Sequence, residues 1–247
     1  MSGILPIPPR EIARRAALFL DFDGTLVEIA PRPEAIAVPA CLARLLGDLA
    51  RASAGAVALL SGRPLEDLDR WLAPLRLAAA GGHGAELRRG ADAPVERIAA
   101  PGLPRPWLAF AETLAASRPG AILERKPAGF ALHARACPDA LPAFRDALSA
   151  LIAKDDSFRL LDAHMAVELL PRGADKGGAL AALMEGPPFA GRIPVAIGDD
   201  VTDEDALAAA RARGGFGLRV GEAFGGPAEV RAWLAGIVAE AGRATAA

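Results

Sequence analysis

Tyrosine is absent from this chain of 247 residues, lysine and histidine occur three times each, and cysteine occurs twice. Each shortage excludes something. Cys41 and Cys137 lie far apart and form no CxxC pair, so neither a disulfide framework nor a thiolate zinc site is expected. Two reduced thiols fit a reducing compartment. The 28 basic and 30 acidic residues leave a net charge of -2, which removes the electrostatic case for nucleic-acid or anionic-membrane partners. Any anion the protein handles must then be met by a few local groups. No apolar run approaches the ~18 residues that span a bilayer; the run Ala16 to Leu20 stops at Asp21. Pro6, Pro8, Pro9, Arg10 and Glu11 make the N-terminus unlike a signal peptide. A cytoplasmic protein acting as a monomer is the expectation.

What is present is a globular composition, 52% hydrophobic and 23% charged. The length amounts to roughly 1.6 domains at about 150 residues each. Short apolar runs alternate with amphipathic helical patterns, the βαβ signature of a parallel sheet with helices on both faces. Ala17 to Leu20, Ala56 to Leu60, Leu75 to Ala80, Ile193 to Ile197 and Phe216 to Val220 read as strands. Stretches 39–50, 64–72, 202–211 and 227–241 read as helices. From residue 91 to residue 168 the pattern changes to helix, strand, strand, helix, strand, strand. There Ile122 to Lys126 and Phe130 to Arg135 read as a hairpin, with Phe130 and Leu132 facing one way and Ala131, His133 and Arg135 the other. The expected fold is α/β, a Rossmann-like doubly wound parallel sheet formed by 1–90 and 169–247, interrupted by a smaller α+β domain at 91–168.

The most informative segment is Leu18-Phe19-Leu20-Asp21-Phe22-Asp23-Gly24-Thr25. Two carboxylates two residues apart follow a buried strand, at the end where open α/β sheets bind ligands. Asp and Gly are also ordinary turn residues, but that does not account for Asp-x-Asp-Gly-Thr as a unit. In this the sequence resembles the haloacid-dehalogenase-like superfamily of phosphoryl-transfer enzymes, whose first motif has this form. Ser61 in Leu-Ser-Gly-Arg, Lys176 in Ala-Asp-Lys-Gly, and Asp199 and Asp200 in Gly-Asp-Asp fit the second, third and fourth motifs.

The resemblance implies a Mg²⁺-dependent phosphatase. Asp21 is the implied nucleophile and a metal ligand, and Asp199 and the carbonyl of Asp23 are further ligands. Asp23 is the implied general acid and base, Ser61 a hydrogen-bond donor to the transferred phosphoryl group, and Lys176 the neutralising cation. The chemistry agrees, because an anionic nucleophile meets an anionic phosphate ester only when a metal and a lysine offset their repulsion. Ser61 also reads as a strand-end turn residue, and Lys176 as a surface lysine at a helix start. Asp200 and Asp203 either orient metal-bound water or cap the helix near Thr202.

The inserted module occupies the place of a substrate-choosing cap in that superfamily. Gly82-His83-Gly84-Ala85-Glu86, Glu124-Arg125-Lys126 with His133 and Arg135 downstream, Val167-Glu168-Leu169-Leu170-Pro171 and Gly-Asp-Asp-x-Thr-Asp-Glu together resemble the trehalose-6-phosphate phosphatases. That resemblance implies hydrolysis of trehalose 6-phosphate through an aspartyl phosphate, with Glu124, Lys126 and Glu168 on the distal glucose. Glu124, Lys126 and Glu168 also read as ordinary cross-strand pairs. Arg63 is expected to steer the phosphate or to lie at the surface. His83 is expected to shape its glycine loop, and His133 and Arg135 to serve cap structure or phosphate contact. Another sugar phosphate, of the sucrose or glucosylglycerate type, is the nearest alternative; a silent sugar-phosphate sensor is the more distant one.

Overall fold

The structure is a computed structural model that describes residues 4–30, 35–97, 102–126, 128–163 and 165–245. Its first part contains α1 (Pro9–Arg15), β1 (Ala16–Leu20), α2 (Leu42–Ala52), β2 (Val57–Leu60), α3 (Leu65–Leu72), β3 (Ala78–Gly81), β4 (Glu86–Arg88) and β5 (Val95–Arg97). An inserted part contains α4 (Arg105–Ala116), β6 (Ile122–Lys126), β7 (Gly129–His133), α5 (Leu141–Ile152), β8 (Phe158–Ala163) and β9 (Ala166–Pro171). The chain ends with α6 (Lys176–Met184), β10 (Ile193–Gly198), α7 (Glu204–Ala212), β11 (Phe216–Arg219), α8 (Val220–Ala223) and α9 (Pro227–Thr245).

All five residues of β1 are buried, with Ala16, Leu18 and Leu20 in one apolar cluster and Ala17 and Phe19 in another. A strand apolar on both faces belongs inside a parallel sheet with helices on each side. The first cluster adds residues of α2, α3 and α9, among them Leu46, Leu68 and Leu234, and the second adds Leu180 and Leu183 of α6 and Leu207 of α7. The sheet order is β11-β10-β1-β2-β3-β4-β5. Strands β11, β10, β1, β2 and β3 run parallel, and β4 pairs antiparallel with β3. From β1 the chain proceeds through β2 to β3, whereas β10 leads to β11 on the opposite side, so the order reverses between β1 and β10. That switch point lies at the carboxyl ends of both strands, where Asp21 and Asp199 follow.

The inserted part is a separate sheet, β6-β7-β9-β8, antiparallel throughout. Phe130, Leu132, Val167 and Leu169 pack with Phe144 and Leu148 of α5 and Ala111 of α4, so one sheet face is covered by its own helices. The two compact units comprise 1–96 with 175–247, and 97–174. The sequence pattern set these boundaries near 91 and 168. They lie further along because β4 and β5 extend the core sheet, and β9 continues to Pro171 as a full partner of β8.

Strand β3 starts three residues later than its apolar run, since Leu75 donates its N–H to the Leu72 carbonyl and closes a turn instead. Helices α1 and α6 and the short strands β4 and β5 carry no clear pattern. In α6, Gly177, Gly178 and a spread of Ala and Leu leave no polar stripe for a helical period to register. The turn residue Pro127 lies outside the described residues.

Candidate active site

Lys176 is the first residue of α6, placed there by Asp175, whose side chain accepts the Gly178 N–H and caps the helix. Its ammonium lies 2.6 Å from Asp21 Oδ1 and 2.5 Å from Asp203 Oδ1, with all three residues buried. Burial by itself would lower the lysine pKa, but attraction to Asp203 and Asp21 raises it, so the lysine stays charged. Burial pushes the Asp21 carboxyl well above the ordinary range; repulsion from Asp203 adds to this and Lys176 opposes it. Asp199 is raised to about 7, by burial first and then by Asp203 and Asp200. Repulsion among crowded carboxylates marks a place suited to a cation.

Asp203 has two jobs. Its Oδ1 takes Lys176, while its Oδ2 accepts the N–H groups of Asp199 at 3.0 Å and Asp200 at 3.1 Å. Asp200 accepts the Val201 N–H and completes a capping box with Asp203. Capping, one of the two readings of this acidic run, is therefore seen for both residues, and Asp203 ties the loop to the lysine besides. Arg219, at the end of β11, donates to the Asp199 carbonyl at 3.1 Å.

Asp21, Asp199 and Asp203 each offer a carboxylate oxygen within 4.8 Å of the others. Gly24 allows this approach. It has φ +78°, and a Cβ there would stand 2.0 Å from Asp199 Oδ2, so a side chain would displace the acidic loop. Both Asp203 oxygens are engaged by hydrogen bonds, and Asp21 has one oxygen on Lys176; together with Asp199 they form the group of carboxylates that could hold a cation.

Ser61 is buried at the end of β2, and its Oγ accepts the Arg63 N–H at 3.1 Å. The glycine loop packs on this turn. His83 donates its backbone N–H to the Ser61 carbonyl at 2.9 Å, and a Cβ on Gly62 would stand 2.5 Å from the His83 ring. Arg63 grips Asp23 with two bonds, Nε to Oδ2 at 2.6 Å and Nη2 to Oδ1 at 2.7 Å. Its guanidinium carbon lies 4.5 Å from the Trp71 ring centre, and Trp71 lies parallel to Phe22 at 5.9 Å. Trp71 shares an apolar stripe of α3 with Leu65, Leu68 and Leu72, and its contacts with residues around Asp23 come from the packing of that stripe on the core.

In the inserted unit, Glu124 of β6, Ala131 of β7 and Glu168 of β9 are in register, which puts Glu124, Lys126, His133 and Glu168 on the sheet face opposite the helices. Lys126 Nζ lies 2.6 Å from Glu168 Oε2, and His133 Nε2 lies 2.7 Å from Glu124 Oε2. Burial would raise the Glu124 pKa, but the His133 hydrogen bond and the Lys126 charge lower it below the ordinary value.

The parallel α/β core, with its acidic cluster beside a buried lysine at the switch point, shares its fold with a solved haloacid-dehalogenase-like hydrolase. A haloacid dehalogenase-like hydrolase from Bacteroides thetaiotaomicron superposes with a TM-score of 0.55 over 79% of this chain and 85% of that one, at 15% identity. The profile of the trehalose-phosphatase family matches residues 19–226, and the chain belongs to that family. It is 39% identical to the trehalose-6-phosphate phosphatase of Escherichia coli K12 over 212 residues, 85% of this chain and 79% of the relative. The C-terminal domain of the Candida albicans trehalose-6-phosphate phosphatase shares the fold, with a TM-score of 0.77, 19% identity and 94% of each chain covered. Among the described residues no helix is long and apolar enough to cross a membrane.

Proposed function

We propose that the chain hydrolyses trehalose 6-phosphate to trehalose and phosphate through an aspartyl phosphate on Asp21. The observation that carries the proposal is the buried Lys176 ammonium joined to Asp21 and Asp203 beside Asp199. It reconciles two like-charged reactants in one site. The donor set fits Mg²⁺, a hard cation that favours one or two carboxylates; Asp21, Asp199 and the Asp23 carbonyl would hold it. When bound, it supplies charge neutralisation to the phosphoryl oxygens.

Asp21 attacks phosphorus as the ester oxygen leaves, and Asp23 gives that oxygen its proton. In the second step Asp23 takes a proton from the water that attacks the acyl phosphate, and Asp21 is released. Ser61 donates its hydroxyl to the phosphoryl group, and Lys176 offsets the charge that builds on it. The domain 97–174 selects the ester. Glu124, Lys126 and Glu168 hold the glucose unit farther from phosphate, since carboxylates and an ammonium form charge-assisted bonds to sugar hydroxyls.

Phosphate release from a panel of trehalose 6-phosphate, sucrose 6-phosphate and a glucosylglycerate phosphate tests the substrate. The highest kcat/KM is expected on trehalose 6-phosphate; an equal or higher value on another member would overturn the assignment. Asp21→Asn should abolish turnover on every member.

A further inference from the structure

The grip of Arg63 on Asp23 is more specific than a surface ion pair. The Arg63 side chain is 12% exposed, it takes both carboxylate oxygens of Asp23, and its guanidinium rests on the Trp71 ring. Each part of this assembly is anchored. The Arg63 carbonyl accepts the Gly82 N–H at 2.9 Å, and the first N–H of α3, that of Leu65, is taken by Glu86 Oε2 at 2.9 Å. Trp71 in α3 is therefore held against Phe22, the residue immediately before Asp23. One aromatic ring thus touches both the backbone neighbour of the carboxylate and the guanidinium that grips it.

A fork-to-fork pair of this kind fixes the plane and direction of a carboxylate. It also occupies both oxygens, so neither can serve a leaving group until one bond opens. We propose that Arg63 and Trp71 are positioning residues for Asp23. Arg63 aims the carboxylate before substrate binds; one of its two bonds then opens, the freed Asp23 oxygen takes a proton from solvent, and that proton passes to the departing ester oxygen. Trp71 keeps the guanidinium in reach by cation–π contact, so that the second bond persists. The proposal rests on the reading of Asp23 as general acid and extends it to two residues that act through its carboxylate.

The test uses kcat/KM for a series of aryl phosphates, from p-nitrophenyl to alkyl-substituted phenyl phosphate, under one set of Mg²⁺ conditions. A p-nitrophenolate leaves without needing a proton, whereas a poor leaving group depends on the acid. Trp71→Leu and Arg63→Lys should lose about tenfold on the poorest leaving group and less than about twofold on p-nitrophenyl phosphate. Trp71→Phe, which keeps an aromatic face, should recover most of the loss. Because Trp71→Leu also removes packing from Phe22, Arg63→Lys carries the same comparison with the ring intact. Losses equal along the series would reduce both residues to a structural role and overturn the proposal. Asp23→Asn separates the two levels: a steep leaving-group dependence there with flat Arg63 and Trp71 variants refutes the positioning role alone. A flat Asp23→Asn series removes the general acid reading and the proposal with it.

Discussion

Replacing Lys176 with methionine isolates the electrostatic centre of the core, since the two side chains are similar in volume. The lysine side chain is 2% exposed and contacts two carboxylates that are 7% and 3% exposed. Removing one partner from a buried ion pair costs about 3–5 kcal/mol, because the remaining charge is stranded. Here one cation serves two anions, so the upper end, about 5 kcal/mol, is expected. For a chain of this size that is a fall in Tm of roughly 10–20 °C at about 2–4 °C per kcal/mol. Guanidinium unfolding with a chelator present measures it without stabilisation by bound cation, and Trp71 and Trp233, both packed on the main core cluster, supply the fluorescence signal. Arg51→Met is the control. Arg51 pairs with Asp48 at an exposed position, and its loss should stay within about 0.5 kcal/mol. A Lys176→Met cost below about 1 kcal/mol, or one matching the control, would show that the carboxylates do not depend on this lysine.

Asp199→Asn should do the opposite to the metal-free protein. It relieves repulsion with Asp203 and Asp200, so Tm should rise at pH above about 7, where the wild-type carboxyl is ionised, while the Tm gain from added Mg²⁺ shrinks; an unchanged Mg²⁺ gain would remove Asp199 from the ligand set. Gly24→Ala should cost about 1–2 kcal/mol for its left-handed backbone, and its Cβ would meet Asp199. Turnover should therefore fall far more than stability, and a variant with wild-type kcat would contradict the close approach. Glu124 has a lowered pKa in the folded state. Its stabilising contribution is thus present above the ordinary carboxylate pKa and is lost as pH falls through the folded value. Glu124→Gln should flatten the acid-side loss of stability reported by Trp107; parallel curves for the two proteins would refute it.

Much of the candidate site was legible because each motif sits where a strand or helix begins or ends. A five-residue run buried on both faces has to be a central strand, so the aspartates that follow must lie at its carboxyl end. The same reasoning placed Ser61, and the period-2 pattern of the hairpin put His133 on the strand face opposite Phe130 and Leu132. The sequence could not order Asp200 and Asp203, since adjacent carboxylates at a helix start suit capping and cation binding equally. The structure gives Asp203 one oxygen for the lysine and the other for the loop. Lys176 also read as a surface lysine at a helix start, and the near-featureless α6 gave no sign of how deeply the helix buries it.

Local pattern was enough to establish the parallel core, the inserted α+β unit and the identity of the acidic and basic groups, because strand alternation and helical stripes are properties of neighbouring residues. Folding was needed to show what each charged group faces. Lys176 meets Asp21 across 155 positions, and Arg63 meets Asp23 across 40. Spacing along the chain carries no information about such pairs. They exist because β1, β2 and β10 lie side by side with α3 and α6 packed on the sheet, and that arrangement brings distant charges together at the carboxyl ends of the strands.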